Sequence, residues 1–418
     1  MHASAVPRDS RGNIARTVAG AAATVVLLLL AGCDGSSSPT PAGSTGASAN
    51  RTGSTSGSPA ASGGSSSGGP ASSGSASGGS SSGGSSSGGS ASGGSGPATA
   101  TPSELTGVVR LGFAGDVHFT DRTAKRLAAN PATVFGPAAT SLAAPDLMML
   151  NLETAIAVGG TPENKNFTFQ APPSAFTALR AAGIDLVTMA NNHAADYGSA
   201  GLAQTLAAIK RSGFPVVGLG ANANAAYAPY YTEINGVRLA FVAALQVREE
   251  TLANFSATST SPGVASAYNV PRLVAAVKAA KAKADAVIVY LHWGTEYVHC
   301  PNEDQYSIAD KLSAAGATAV VGTHAHGLQG AGWRPDGTYV SFGLGNYFWW
   351  ISFGDQRDDS GILTLTLTYN RVTGASFAPA RLDDRGIAVP ATGATARRIR
   401  GDFEEFRQCA GLLAKPPR

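Results

Sequence analysis

The feature that most limits how this 418-residue chain can fold is a long segment without large apolar side chains. Between Asp34 and Pro102 there is no Leu, Ile, Val, Met, Phe, Tyr or Trp, and repeats such as SSSGGSSSGGSASGGSG dominate. Such a segment buries too little apolar surface to offset its chain entropy, so residues 34–104 are predicted to form a disordered tether. A Gly/Ser tether of roughly 70 residues has a root-mean-square span on the order of 45–50 Å. The hydrophobic core is therefore expected within residues 105–418.

The residues before the tether have the layout of an export signal. The basic stretch RDSRGNIAR precedes the short apolar run VAGAAATVVLLLLAGC, which ends at Cys33. This layout is typical of a secretory signal, and LAGC resembles a bacterial lipobox, which implies cleavage before Cys33 and lipid attachment to its sulfur. We predict a lipoprotein signal peptide over residues 1–33 and an exported protein, lipid-anchored to the outer face of the bacterial cell membrane. A plain signal peptide and an uncleaved anchor are the alternatives.

Charge and cysteine content add weaker constraints. The formal net charge of +3 is small for this length, so it predicts no nucleic-acid partner. Cys300 and Cys409 are the remaining cysteines, and a disulfide between them is possible in an oxidising compartment. Two free thiols fit the sequence equally well.

Residues 105–418 alternate short β-branched apolar runs with Ala-rich segments of helical period. Uninterrupted apolar runs suit strands that are buried on both faces. Several of the helical segments end at glycine, the usual residue just past a helix C-terminus. The predicted helices are PPSAFTALRAAG, SAGLAQTLAAIKRSG, PRLVAAVKAAKAKA and DQYSIADKLSAAG. The alternation predicts an α/β domain with a largely parallel sheet.

Two antiparallel hairpins are predicted beside these parallel units. YYTEINGVRLAFVAAL contains Asn235-Gly236, a dipeptide that favours a tight hairpin turn. GILTLTLTYNRVTGASFAPARL predicts a second hairpin that turns near Asn370 to Gly374. Mixed rather than purely parallel sheets are therefore expected.

Polar side chains follow most of the predicted strands. Ligands in open α/β sheets gather at the carboxyl ends of the strands, so these side chains are expected to meet at one edge. Five of the seven histidines belong to this set. Its members, in chain order, are Asp116, His118, Asn151, Glu153, Asn191, Asn192, His193, His292, Glu296, His324, His326 and Asn346.

The chemistry of this set points to a metal centre. Carboxylate and amide oxygens with imidazole nitrogens, and no thiolate, suit Mn, Fe or Zn. Six or more donors are too many for one tetrahedral ion but suit two divalent metal ions about 3.5–4 Å apart that share one carboxylate. Such a pair lowers the pKa of bound water and clamps the oxygens of an in-line displacement. Cleavage of a phosphoester is the reaction that this arrangement serves most directly.

The motifs in order are GDVH, NLE, ANNHAADYG, HWGTEY, GTHAHG and GLGN, spread over residues 111–348. This ordered set resembles the CapA family, which is associated with poly-γ-glutamate capsule synthesis and belongs to the calcineurin-like metallophosphoesterase superfamily. The resemblance implies an α/β fold with a metallophosphoesterase-like αββα sandwich of mixed, largely parallel buried strands. It also implies a metal-dependent hydrolase, although a non-catalytic member of the same fold is an alternative.

The superfamily pattern implies a role for each matching residue. His193 matches the proton donor or transition-state stabiliser. Glu153 matches the bridging acid, which is usually an aspartate in the superfamily. The retained His118, often missing from CapA-type sequences, favours the catalytic pattern. The implied ligands are Asp116, His118 and His326 for the first metal, Asn192 and His324 for the second, Glu153 between them, and His292 as a further ligand.

A second set of residues is expected to position the ligands or face the substrate, because metal-bound histidines usually donate their other N–H to such groups. This set comprises Asn191, Asp196, Glu296, Tyr297 and Asn346. The expected substrate is a phosphoester or an anionic envelope polymer, with capsule synthase subunits as possible partners. The alternatives are a scaffold that binds or exports an anionic polymer such as poly-γ-glutamate, and a metal-dependent amidase acting on a peptide-like polymer.

Overall fold

The computed structural model describes residues 107–418, so the predicted signal peptide and the whole of the predicted tether lie outside the described residues. No helix within this range is long and apolar enough to cross a membrane. The strands are β1 Val108–Val117, β2 Leu147–Leu152, β3 Ala155–Ile156, β4 Gln170–Ala171, β5 Leu186–Thr188, β6 Val216–Val217, β7 Leu219–Gly220, β8 Tyr230–Ile234, β9 Val237–Leu245, β10 Gly263–Val264, β11 Ala286–Trp293, β12 Ala319–His324, β13 Ala331–Trp333, β14 Tyr339–Ser341, β15 Asn346–Phe348, β16 Asp359–Thr368, β17 Arg371–Leu382 and β18 Ala388–Pro390. The α-helices are α1 Asp121–Ala129, α2 Ala138–Leu142, α3 Ser174–Ala181, α4 Gly198–Ser212, α5 Ala223–Ala226, α6 Glu250–Phe255, α7 Val270–Lys281, α8 Glu303–Ala314 and α9 Gly393–Cys409.

Two mixed sheets form the framework. The first has the order β18-β17-β16-β1-β2-β5-β6, with β15 also paired to β1. Its strands β1, β2, β5 and β6 run parallel, whereas β16 to β18 are antiparallel. The second has the order β13-β14-β12-β11-β9-β8, with a parallel interior and one antiparallel strand at each edge.

The two sheets pack face to face through alternate side chains. Phe113 of the first sheet and Phe241 and Tyr290 of the second share one buried cluster, and the Tyr290 hydroxyl donates a 2.7 Å hydrogen bond to the carbonyl oxygen of Ala114. Residues of opposite parity on the second sheet, such as Val289, form another cluster with side chains of α7 and α8. Helices α1 to α4 connect strands of the first sheet. The predicted α/β sandwich with largely parallel inner strands is confirmed.

The four predicted helices correspond to α3, α4, α7 and α8. The first predicted hairpin is also confirmed, because β8 and β9 are joined at Asn235 and Gly236, both of which have positive φ. The second hairpin turns earlier than predicted. Its loop is Tyr369-Asn370, where Tyr369 has φ 49°, and Gly374 lies within β17. The strand pairing continues past Gly374 through an irregular register near Thr366, so the glycine is not needed for the turn.

The C-terminal helix α9 is tied to the segment that follows β11. Cys300 and Cys409 form a disulfide with a Cα–Cα distance of 5.8 Å. The ring of His299 stacks on Phe406 with a centroid distance of 4.4 Å. Of the two possibilities that the sequence leaves open for these cysteines, the structure has the disulfide.

Candidate metal centre

The polar side chains that follow the parallel strands meet at one edge of the sandwich. Asp116 lies near the end of β1, Glu153 directly follows β2, and His292 and His324 lie at the ends of β11 and β12. All four are at most 4% exposed. Parallel neighbours end at the same edge, so the sandwich places these groups together although they are far apart in sequence.

The potential metal ligands form two close groups. One consists of Glu153, His324 and His326, and the other of Asp116, Glu153 and His292. Within each group, one ligand atom from each residue lies within 4.8 Å of the others. Glu153 belongs to both groups, which is the position that a bridging carboxylate occupies in a two-metal site.

Several buried ligand atoms lack a hydrogen bond. Oε1 of Glu153 and Nδ1 of His324 have no hydrogen-bond partner among residues 107–418. A buried carboxylate oxygen without a partner is costly, and a bound cation satisfies it. Both atoms are of the kind that binds Mn, Fe or Zn, so the donor set fits divalent cations.

The two carboxylates of the centre differ electrostatically. Burial, reinforced by the charge of nearby Asp116, raises the pKa of Glu153 well above its usual range. Burial also acts to raise the pKa of Asp116, but the hydrogen bond with His326 and the charge of His292 outweigh it, so this pKa is lowered. Burial acts to lower the pKa of His326, but its hydrogen bond with Asp116 and the charges of Glu153, Asp116 and Glu296 outweigh it, so this pKa is raised to about 9. The centre therefore concentrates negative charge that requires a neutralising cation or proton.

Amide side chains hold the carboxylates in place. Nδ2 of Asn151 donates to Oδ1 of Asp116 at 2.8 Å and to Oε2 of Glu153 at 3.4 Å. Asn191 in turn donates to Oδ1 of Asn151 at 2.9 Å, and Oδ1 of Asn346 lies 2.9 Å from Nδ1 of His326. Asn191 thus contacts the amide that bonds both carboxylates, and Asn346 contacts His326; their role as positioning residues stays a prediction.

His193 lies beside the centre and is oriented by Asp196. Its Nδ1 is 2.6 Å from Oδ2 of Asp196, and its Nε2 is 3.9 Å from Oε1 of Glu153. Asp196 also accepts hydrogen bonds from the backbone N–H of Phe169 at 2.7 Å and from Nζ of Lys165 at 2.9 Å. Burial raises the pKa of Asp196 to about 6 although Lys165 opposes the shift. The imidazole is therefore fixed at Nδ1, with Nε2 directed towards the centre.

Asn192 links the centre to the mouth of the site. Its Oδ1 lies 2.8 Å from Nε2 of His292, and its Nδ2 donates to Glu249 at 2.9 Å. The amide oxygen thus lies among the proposed ligands. Glu296 and Tyr297 are exposed at the mouth, where Glu296 lines the same cavity as His193.

His118 belongs to neither close group of ligand atoms. Its ring stacks on Phe169 and meets the edge of Trp349, with centroid distances of 4.1 and 4.2 Å. Nε2 accepts the backbone N–H of Trp350 at 3.3 Å, while Nδ1 has no hydrogen-bond partner in the described part of the chain. Its role as a ligand stays a prediction, as does the division of His324 and His326 between two ions.

The backbone at the two neighbouring histidines is unusual. His324 has φ 90° and His326 has φ 48°, both in the left-handed region that non-glycine residues rarely adopt. Such conformations persist where the surrounding structure imposes them, and they concentrate at functional sites. Here they bring both imidazoles to the side of Glu153.

Lys165 and Glu249 lie outside the motifs that mark the site in the sequence. Nζ of Lys165 contacts both Asp196 and Glu249, at 2.9 and 3.6 Å. Lys165 lies in the connection between β3 and β4, where no strand ends and no motif marks a functional residue. Only the folded arrangement brings this ammonium group to His193 and Asp196.

The fold and the site together define an α/β sandwich with a buried carboxylate–histidine centre suited to divalent cations. Residues 110–349 match the family model described as "Bacterial capsule synthesis protein PGA_cap". This match covers more than half of the chain, and the chain belongs to this family. The CapA resemblance predicted from the motifs is thereby confirmed.

Relatives of known name support the assignment. The "Capsule biosynthesis protein CapA" of Bacillus anthracis is 31% identical over 238 residues, which are 55% of this chain and 56% of that protein. The "PGA biosynthesis protein CapA" of Bacillus subtilis (strain 168) is 31% identical over 198 residues, 47% of this chain and 51% of that protein. The chain thus spans about half the length of the curated relatives it matches.

Solved structures overlap the chain more loosely. A hypothetical protein from Thermus thermophilus has a TM-score of 0.42 and 19% identity, covering 65% of this chain and 99% of that one. A phosphatase from Mycoplasma pneumoniae has a TM-score of 0.43 and 16% identity, covering 66% of this chain and 95% of that one. Overlaps of this size carry no conclusion about the chemistry of this chain.

Proposed function

We propose that this chain is a CapA-type accessory protein of capsule or envelope-polymer metabolism that hydrolyses a phosphoester with two divalent cations. In this proposal it is exported and lipidated at Cys33, and the Gly/Ser tether separates the catalytic domain from the membrane. The relatives named for capsule and PGA biosynthesis support the biological setting. The candidate metal centre supports the chemistry.

One observation carries the catalytic part of the proposal. A buried carboxylate, Glu153, is common to two groups of ligand atoms and has an oxygen without a hydrogen-bond partner in residues 107–418. His193 lies 3.9 Å from that same oxygen but is held by Asp196 rather than by the ligand groups. A purely structural metal site has no need of an oriented imidazole beside it. The combination of a shared carboxylate and an adjacent proton-exchanging group is what a hydrolase requires.

The residues would divide the work as follows. Cations held by Asp116, Glu153, Asn192 and the histidines supply activation of water and neutralise negative charge when bound. Asp196 keeps a proton on Nδ1 of His193, so Nε2 is the atom that exchanges a proton with the substrate. In the reaction, oxygen from water bonds to phosphorus, the bond from phosphorus to the alcohol oxygen breaks, and a proton passes to that oxygen. Lys165 keeps Asp196 in place through its 2.9 Å contact.

The mouth of the site argues against the scaffold alternative. A cavity of about 370 Å³ beside His193 is lined by Glu249, Glu250 and Glu296, with Lys165 paired to Asp196 and Glu249. A polyanion held in this cavity without cations would face three carboxylates. Repulsion of like charges disfavours such a complex. When cations are bound, they attract the negatively charged phosphate of a phosphoester at the metal centre.

The test uses the purified full chain, first for metal content and then for turnover. We expect close to two transition-metal ions per chain and hydrolysis of an aryl phosphate such as p-nitrophenyl phosphate. His193→Ala should reduce turnover and leave the metals bound. Full metal loading without turnover on phosphoesters would favour the binding protein, and cleavage of amide bonds alone would favour the amidase.

A further inference from the structure

Two cavities of different character meet at His193. One, of about 370 Å³, has the polar lining described above. The other, of about 210 Å³, is lined mainly by aromatic side chains. Phe167, His193 and Glu296 line both cavities. A molecule bound at the metal centre therefore lies between the polar cavity and the aromatic cavity.

The walls of the aromatic cavity consist of side-chain rings that can contact the ring of a ligand. Phe167 and Trp350 have a centroid distance of 6.0 Å, and Tyr297 and Phe353 one of 6.1 Å. Phe167 is 57% exposed and Tyr297 is 43% exposed, which is unusual for large apolar side chains. Exposed aromatic groups that converge at the mouth of a buried polar site indicate a binding surface.

One wall is fixed before any ligand binds. Buried Asp358 accepts hydrogen bonds from Oγ of Ser352 at 2.9 Å and from the backbone N–H groups of Phe353 at 2.8 Å and Gly354 at 2.7 Å. These bonds hold residues 350–354 in position beside the centre. A wall that is already ordered costs a ligand less conformational entropy. The family match ends at residue 349, so this wall lies beyond it.

We propose that the aromatic cavity binds a flat, uncharged ring carried by the alcohol part of the phosphoester. The substrate class is then an aryl or heteroaryl phosphoester, an inference that rests on the proposed function for its phosphoester part. The volume of about 210 Å³ accommodates one ring or a small fused ring system. The carboxylate of Glu296 at the shared rim disfavours an anionic group, and the guanidinium of Arg357, 4.3 Å from the ring centre of Phe353, disfavours a cationic one. Aromatic walls favour a flat ring because offset and edge-to-face contacts add to apolar burial.

The first test compares three phosphonates, which resist hydrolysis, on the full chain loaded with Mn²⁺. Isothermal titration calorimetry should show phenylphosphonate binding at least about tenfold more tightly than methylphosphonate, as expected from burial of one ring. Cyclohexylphosphonate has similar bulk without a flat face and should fall between them. Equal affinities for all three compounds would overturn the inference.

The second test removes one aromatic wall while keeping bulk. Phe353→Leu should reduce the preference for phenylphosphonate over methylphosphonate to about threefold or less. The matched control is Tyr231→Leu, which removes a 41% exposed aromatic side chain on the edge strand β8. An unchanged preference in Phe353→Leu would contradict the inference. Similar thermal unfolding of the variants and the parent excludes a folding defect.

The third test separates this inference from the proposed function. Phenol should bind the metal-free full chain, as detected by saturation-transfer NMR, and Phe353→Leu should weaken that binding. Phenol binding without metal loading or turnover would leave the ring site standing while the phosphoesterase proposal fails. Turnover without ring preference and without phenol binding would support the phosphoesterase proposal and overturn the ring site.

Discussion

Nδ1 of His193 lies 2.6 Å from Oδ2 of Asp196, and Nε2 of the same ring lies 3.9 Å from Oε1 of Glu153, an atom without a hydrogen bond in residues 107–418. His193 is thus held by a carboxylate outside the two close groups of ligand atoms, whereas His292, His324 and His326 belong to those groups. Substitution of His193 is therefore expected to reduce turnover, whereas substitution of Glu153 is expected to reduce metal binding.

His193→Ala should lower kcat for an aryl phosphate by about 10²-fold or more, because general acid–base groups contribute on that scale. Metal content should stay at the parental level, since the close groups of ligand atoms do not include His193. The measurements are steady-state kinetics and elemental analysis of the same preparation. His299→Ala is the matched control, because His299 stacks on Phe406 and belongs to neither close group of ligand atoms. Parental turnover in His193→Ala would contradict its assigned role.

Glu153→Gln should lower the metal content to about one ion per chain or less, because the change removes the negative charge shared by both groups of ligand atoms. Elemental analysis after dialysis checks this outcome. Asp185→Asn is a matched acid-to-amide control, since Asp185 accepts the N–H of Met148 at the opposite end of β2. Retention of two ions in Glu153→Gln would show that the carboxylate does not bridge them.

Adding Mn²⁺ to the chelated protein should raise its melting temperature. A ligand at about 100 times its Kd stabilises a protein by about 2.7 kcal/mol, which is several degrees for a domain of this size. Buried Asp116 and Glu153 are the source of the effect, because the cation binds two carboxylates that the fold holds together away from water. Differential scanning fluorimetry checks it. Ca²⁺ at equal concentration, an ion that prefers all-oxygen sites, should raise the melting temperature less.

Tyr290→Phe should lower the free energy of unfolding by about 1–3 kcal/mol, because it leaves the buried carbonyl of Ala114 without its 2.7 Å hydrogen bond. This bond joins the two sheets of the sandwich. Urea denaturation of the variant and the parent gives the difference. Tyr231→Phe, at a 41% exposed position, should change stability by less than about 0.5 kcal/mol. An equal effect of both substitutions would count against a special role for Tyr290.

Replacing both Cys300 and Cys409 by serine should destabilise the domain by about 2–4 kcal/mol, because the disulfide closes a long loop in the unfolded chain. The sequence separation of the two residues is 109. Denaturation of the double variant, compared with the parent under oxidising and reducing conditions, measures the effect. The double variant should be insensitive to reductant. An oxidised parent no more stable than the double variant would contradict the prediction.

The short-range features of the fold were predictable from local pattern. Helices α3, α4, α7 and α8 follow from apolar period, with a terminal glycine in all but α7, and the β8–β9 hairpin follows from Asn235-Gly236. The second hairpin was predicted, but its turn was extended too far towards Gly374, a typical turn residue, whereas the turn is made by Tyr369, which has positive φ, and Asn370. Local propensity did not reveal that the strand pairing fixes the turn.

By itself, the sequence determined the kinds of element within residues 107–418 and the ligand types at strand ends. These depend on side-chain chemistry and on periodicity within a few residues. Tertiary structure alone decided that Lys165 reaches Asp196, that His118 packs between Phe169 and Trp349, and that Cys300 pairs with Cys409. Contacts between distant segments depend on how the sheets and their connections pack, and no local pattern encodes that packing.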